Sequence, residues 1–220
     1  MPIAPFPHVE DTSAPRRVRD PEATRRAILD AAKAEFAAKG YAGGRVDEIA
    51  AHTATSKRMI YYYFGGKEQL YAAVLEEMYG GMRDAEAALA LDALPPREAM
   101  RRIVEVTFDH HAEHPEFVRL VSVENIHEAS TVRASPAIGQ RNATVIGRLE
   151  ALLARGVPSG DFRAGIDPVD LHFLISSFCF YRISNRHTLR AIFGRDTLEP
   201  ATAAPQREMI VQAVLRYVSP

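Results

Sequence analysis

The sequence predicts an all-α protein: a three-helix head joined to a larger helical-bundle body, about nine helices in all. Apolar residues return at three- and four-residue spacing along most of the chain, and no alternating run long enough for a strand interrupts them. Helix boundaries are marked as well. Asp20-Pro21 and Asp167-Pro168 each read as an N-cap followed by a first helical residue, and Gly40 reads as a stop.

Residues 1–19 are rich in Pro and carry Arg16, Arg17 and Arg19, the pattern of a flexible basic arm. A first helix is expected from Pro21 to about Lys39, with Ile28, Ala32 and Phe36 on its buried stripe. Val46, Ile49 and Ala50 form the apolar side of a short second helix, and Met59, Ile60 and Tyr63 anchor a short third from behind. These three helices are expected to enclose one small core. From Lys67 onward, Leu70, Val74 and Met78 repeat at four-residue spacing in a rod that Leu94-Pro95-Pro96 breaks. Further helices are expected from Arg97 to about His111, Pro115 through Glu124, Pro136 to Arg155, Pro168 to about Asn185, and about Pro205 to Val218. Residues 130–136 and the stretch after Asn185 read as irregular. The expected division is an arm over 1–19, a head over 20–66 and a body over 67–220.

The chain has 220 residues, 47% hydrophobic and 25% charged, a balance that supports a core. Its one cysteine, Cys179, excludes an internal disulfide and a cysteine metal cluster, which favours a reducing, cytoplasmic setting. No secretory h-region is visible near the start, and the longest apolar stretch, residues 171–181, is too short for a bilayer; no membrane partner is expected. Net charge is −1, but residues 14–70 hold eleven bases against seven acids, a net +4 that leaves −5 for the rest. A basic head on an acidic body suits a protein that touches phosphates with one end only.

Residues 45–70, RVDEIAAHTATSKRMIYYYFGGKEQL, read as two short helices joined by a tight turn and followed at once by a third. The second of these carries Ser56, Lys57, Arg58, Tyr61 and Tyr62 on faces the core does not need. Small polar and cationic side chains at a helix start, with tyrosines further along, suit the major groove of double-stranded DNA and its flanking phosphates. The segment resembles the DNA-binding region of the TetR family of bacterial transcriptional repressors. The resemblance rests on the Gly40-Tyr41 ending, on Val46-Asp47-Glu48-Ile49-Ala50 and Thr55-Ser56-Lys57, and on Ile60-Tyr61-Tyr62-Tyr63-Phe64-Gly65-Gly66-Lys67-Glu68-Gln69-Leu70. It covers residues 20–70. The body matches in helix count and order, and its run ISSFCFYRISNR, residues 175–186, is similar to C-terminal domains of regulators of pyrimidine and aromatic-acid catabolism.

The resemblance implies that Ser56, Lys57 and Arg58 face the groove, with Lys57 and Arg58 reaching guanine edges. It implies contacts from Tyr61 and Tyr62 to phosphates or thymine methyls. Lys67 opens the fourth helix, where its ammonium and the nearby N–H groups suit a phosphate, and Arg45 and Val46 open the second beside the DNA backbone. Two positions depart from the family pattern: Ala54 replaces the usual turn glycine, and Arg45 the usual Ser or Thr cap. A positive φ would cost Ala54 about 1 kcal/mol, and losing the cap at Arg45 costs about 1 kcal/mol as well.

In the body, His110, His111 and His114 share one helix end, and zinc would need Glu124 or His127 as well. No further ligand spacing supports this, so no metal or cofactor is expected. Cys179 lies in an apolar run without a neighbouring cation, as a packing residue rather than a redox sensor. No nucleophile has a visible base and there is no phosphate-binding glycine loop, so no catalytic residue is expected. Phe108, Phe117, Phe173, Phe178, Phe180 and Tyr181 fit an ordinary core. In a body built to bind an inducer, some would instead wall a pocket. The candidate effector set is Phe108, His111, Phe117, Glu124, Phe178 and Arg182, and an inward Arg182 implies a carboxylate. Leu171, Leu174, Ile175 and Phe178 with Met209, Ala213 and Tyr217 form the expected homodimer surface. The sequence thus reads as a repressor that binds a palindromic operator as a dimer and is released by a small apolar or aromatic carboxylate. Two other readings stay open: a regulator controlled by architecture or a protein partner, and an enzyme body on a DNA-binding head.

Overall fold

The computed structural model describes residues 20–53 and 55–220, so the basic arm and the backbone of Ala54 lie outside it. Eleven α-helices follow in order: α1 (Pro21–Gly43), α2 (Val46–His52), α3 (Lys57–Phe64), α4 (Lys67–Ala87), α5 (Pro96–Glu113), α6 (Pro115–Ile126), α7 (Ser130–Ala134), α8 (Pro136–Gly156), α9 (Pro168–Ser184), α10 (Arg186–Phe193) and α11 (Pro200–Val218). No strand occurs among the described residues, and none of their helices is long and apolar enough to cross a membrane.

The cap signals operate as read. Asp20 accepts the Glu22 N–H at 2.9 Å. Asp167 accepts those of Val169 and Asp170 at 2.7 and 3.0 Å. Gly40, at φ 69°, kinks α1 rather than ending it, and one more turn carries the chain to Gly43. Gly44 must remain small, since a Cβ there would lie 2.5 Å from the Phe36 ring.

The two helices beyond the expected nine are α7 and α10. The first arises because Glu124 reaches back from α6 and accepts the Thr131 and Val132 N–H groups at 3.1 and 3.3 Å, capping a turn that has no cap of its own. The second is closed by Gly194 at φ 66° and pinned by Arg186, which forks onto Asp196 with two bonds of 2.7 Å. Two boundaries also move. Helix α4 ends at Ala87, with a short 3-10 turn over Leu91–Ala93 before the proline pair. Helix α11 starts at Pro200 and carries the exposed Pro205 inside it.

The head does not close its own core. Ile28, Phe36, Ile49 and Ile60 are fully buried in one cluster with Leu70, Tyr71 and Val74 of α4 and Val118 and Leu120 of α6. Phe36 meets Tyr71 edge-on, with ring centroids 5.0 Å apart. A second cluster joins α5, α8, α9 and α11 through Met100, Val104, Leu149, Leu171, Cys179 and Val211. Helices α4 and α6 therefore bridge the head and the far body.

Candidate functional site

Helix α3 stands on Ile60 and Phe64, both buried, and turns its other faces outward. Ser56 caps it, accepting the Met59 N–H at 3.3 Å, so this hydroxyl serves the helix end first. Arg58 is exposed and makes no ion pair among the described residues. Tyr61 and Tyr62 are exposed, Tyr62 by 77%, far more than a phenol needs for packing. Lys57 is also exposed, but its ammonium lies 3.0 Å from Asp47 on α2, and that hydrogen bond raises its pKa.

Two of the expected DNA contacts, Val46 and Lys67, are placed differently. Val46 is buried, 7% exposed, because it supplies part of the apolar side of α2. Lys67 is half-buried. Its ammonium sits 4.7 Å from the Tyr41 ring centroid and donates to the Ala42 carbonyl at 3.3 Å. Arg45 has an exposed guanidinium and supplies no side-chain cap to α2, but its backbone N–H is taken by Glu35 at 3.0 Å. Sequence reading missed Glu35 and Asp47. The second was within reach of it, since a turn of this length brings the start of α2 beside the start of α3.

In the body, Phe108, His111, Phe117 and Arg182 converge. The Arg182 guanidinium carbon lies 3.9 Å from the Phe108 centroid. His111 packs its ring 5.9 Å from Phe117 and donates its Nδ1–H to the Thr107 carbonyl, 2.7 Å away. Arg182 is only 1% exposed. Its Nε donates to Gln206 at 3.2 Å and one terminal nitrogen donates to the Thr197 carbonyl. The other terminal nitrogen is buried with no acceptor, and no carboxylate pairs with the group among the described residues. Burial lowers its pKa, yet a guanidinium stays charged in any protein. Burial also pushes the His110 imidazole down to about 4 and the Cys179 thiol up to about 12.

Glu124 is not free to meet a ligand, because its carboxylate is committed to α7 and faces the Tyr71 hydroxyl, whose pKa burial and that charge both raise. Phe178 is half-buried against the second core cluster. Phe173 and Tyr181 are not interior walls; they are 62% and 55% exposed.

These two aromatics share an outer face of α9 with the exposed Ser177 between them, and α11 presents Met209, Ala213 and Tyr217 at the same four-residue spacing, all exposed. Leu171 and Ile175, expected at a subunit contact, are instead fully buried in the second cluster. A helix 100° per residue apart cannot turn positions 171 and 173 the same way.

Residues 28–74 match the family described as bacterial regulatory proteins, tetR family, and residues 96–214 match the tetracyclin repressor-like C-terminal domain. The chain is 35% identical over 200 residues to the HTH-type transcriptional repressor NicS of Pseudomonas putida, covering 91% of this chain and 94% of that one. It is 30% identical to the HTH-type transcriptional regulator RutR of Escherichia coli, covering 91% and 84%. The solved structure of SCO4942 from Streptomyces coelicolor superposes with a TM-score of 0.69 at 31% identity, over 89% of this chain and 98% of that one. With the outward tyrosines and cations of α3 and matches that together span head and body, the chain belongs to the TetR family of bacterial regulatory proteins.

Proposed function

We propose that this chain is a ligand-responsive transcriptional repressor that binds a palindromic operator as a homodimer and is released by a small aromatic or apolar carboxylate. The similarity to NicS, a repressor, supports the sign of regulation. Residues 20–66 act as the DNA-binding unit. Arg58 and Lys57 reach base edges, Tyr61 and Tyr62 the backbone, and Arg45 and the N-terminus of α4 the flanking phosphates. One recognition helix spans only a few base pairs, so a two-fold operator calls for a two-fold protein. The exposed apolar rows of α9 and α11 supply a self-complementary contact. Residues 67–220 carry that contact and the effector site, and no catalytic role is assigned to any residue.

The observation that carries the effector class is Arg182. A buried guanidinium with an unpartnered terminal nitrogen, lying on the Phe108 ring, favours a ligand that brings a carboxylate and an apolar ring together. Ligand release is a population shift: the acid binds better to a dimer whose heads do not match adjacent grooves. Selection from random DNA should return a palindrome, and an aromatic acid should lower affinity for it. Arg182→Ala should keep operator affinity and lose the response to acid. A variant that still responds would remove Arg182 as the anchor.

A further inference from the structure

Only 1% of Arg182 is exposed, so a group packed on it must give way before an effector arrives. Its two hydrogen-bond partners differ in how easily they can. The Thr197 carbonyl is fixed in place. The Thr197 hydroxyl donates back to the Arg182 carbonyl at 2.8 Å, and the neighbouring Asp196 holds the Arg186 fork and accepts the Leu198 N–H at 3.0 Å. Gln206 on α11 is a side chain with one bond to lose. Among the described residues its amide makes only the 3.2 Å contact with Arg182 Nε, long for a charged donor. The same side chain lines a surface cleft of about 490 Å³ with Arg195, Ala201, Thr202, Pro205 and Met209.

The chemistry of that guanidinium edge favours an exchange. Arg186 and Arg207 each give Nε and one terminal nitrogen to both oxygens of a carboxylate, Asp196 and Asp109, at 2.7 to 3.0 Å. Arg182 gives the same edge to two neutral oxygens, Gln206 Oε1 and the Thr197 carbonyl, and its third nitrogen has no acceptor. Asp109, whose charge reaches Arg182, is already forked by Arg207. A carboxylate coming from the cleft brings a charge and a second oxygen that Gln206 lacks. No acid lines the cleft, and Arg195 is exposed there with no ion pair among the described residues. Pro205 offers no N–H to the Ala201 carbonyl, which leaves the turn of α11 that carries Gln206 one hydrogen bond short.

We propose that Gln206 is the gate of the effector site: in the free protein its amide oxygen holds Arg182 Nε in place of a carboxylate, and an acid entering through the cleft beside α11 displaces it. This rests on the carboxylate reading above and adds Gln206 as the residue that sets how tightly an acid is held. Met209, of the exposed α11 row, lines the same cleft, so the way in lies at the edge of the proposed subunit contact.

Calorimetry on the full chain would use benzoate, phenylacetate and octanoate, and the tightest binder of the three would be carried to the variants. Gln206→Met keeps the length of the side chain and removes the competing oxygen. It should bind the acid up to about tenfold more tightly. Gln206→Glu supplies Arg182 with a carboxylate from within. It should bind the acid about tenfold more weakly or worse, and its operator affinity without acid should fall towards that of the acid-bound parent. Arg182→Gln should abolish acid binding, with Arg182→Lys, which keeps the charge but not the fork, as the substitute if the first variant unfolds. Circular dichroism establishes the fold of each, and Gln206→Met decides alone if Gln206→Glu does not fold. Acid binding that is lost with Arg182 but equals the parent's in the folded Gln206 variants overturns the gate and leaves the carboxylate anchor standing. Binding unchanged in the folded Arg182 variants overturns anchor and gate together, as does no binding of any of the three acids at millimolar concentration.

Discussion

The Glu35 carboxylate on α1 accepts the backbone N–H of Arg45 at 3.0 Å, so α2 starts without a capping side chain of its own. The same oxygen takes the Lys39 ammonium at 2.8 Å. Burial alone would raise the pKa of Glu35, but the hydrogen bonds from Lys39 and Arg45 outweigh it and the net shift is downward. A carboxyl with a lowered folded pKa stabilises above its unfolded value, about 4.3, and loses that contribution as pH falls through the folded value. Glu35→Ala should therefore cost about 1–3 kcal/mol at neutral pH. Urea titrations should show that gap narrowing as pH falls below the unfolded value and through the lowered folded one. A gap that stays constant with pH would mean that the charge of Glu35 is not what holds α2.

Asp47 holds the Lys57 ammonium on the outward side of α2 and α3. Asp47→Ala should free that cation for a guanine edge. Operator binding, measured by fluorescence anisotropy, should strengthen by more than binding to random DNA, because a base contact is sequence-specific and a phosphate contact is not. Equal gains on both would assign Lys57 to the backbone instead.

Arg58→Ala should relax selection at one base pair in each half-site, at about 1–3 kcal/mol against the best operator. Arg58 is exposed beside the capped start of α3, where side chains enter a groove. Equal losses on operator and random DNA would assign it to phosphate instead.

Phe173→Arg with Met209→Arg should yield folded monomers in sedimentation equilibrium, because both side chains are exposed in the single chain and their replacement leaves its core intact. Leu171→Ala is the contrast. Its side chain is fully buried, so it should cost about 2–5 kcal/mol of stability through the cavity left behind. A doubly substituted protein that still sediments as a dimer would locate the contact elsewhere.

Cys179 should resist alkylation in the native protein at pH 8. It is fully buried and its thiol is pushed up to about 12, so almost no thiolate is present or reachable. Iodoacetamide labelling should require denaturant; rapid labelling of the folded chain would mean that the second core opens readily.

The sequence by itself determined the helical architecture, the caps at Asp20 and Asp167, the buried stripe of α1 and the family-bearing string of α3, because each is a local pattern of spacing and end chemistry. It also singled out Arg182, whose long cationic side chain in an apolar run has few places to go. What it left undecided depended on partners distant in the chain. Helix α7 exists because Glu124 caps it from α6, and α10 because Arg186 meets Asp196. Leu171 and Phe173 are equally apolar, and only the packing of α9 against α5 and α8 decided which of them is core and which is surface. Val46 was drawn to the inside of the head by the side of α2 that the core needed, and Lys67 was turned onto the ring of Tyr41. Periodicity tells which residues share a face of a helix, but the burial of that face is set by the neighbours that tertiary packing brings to it.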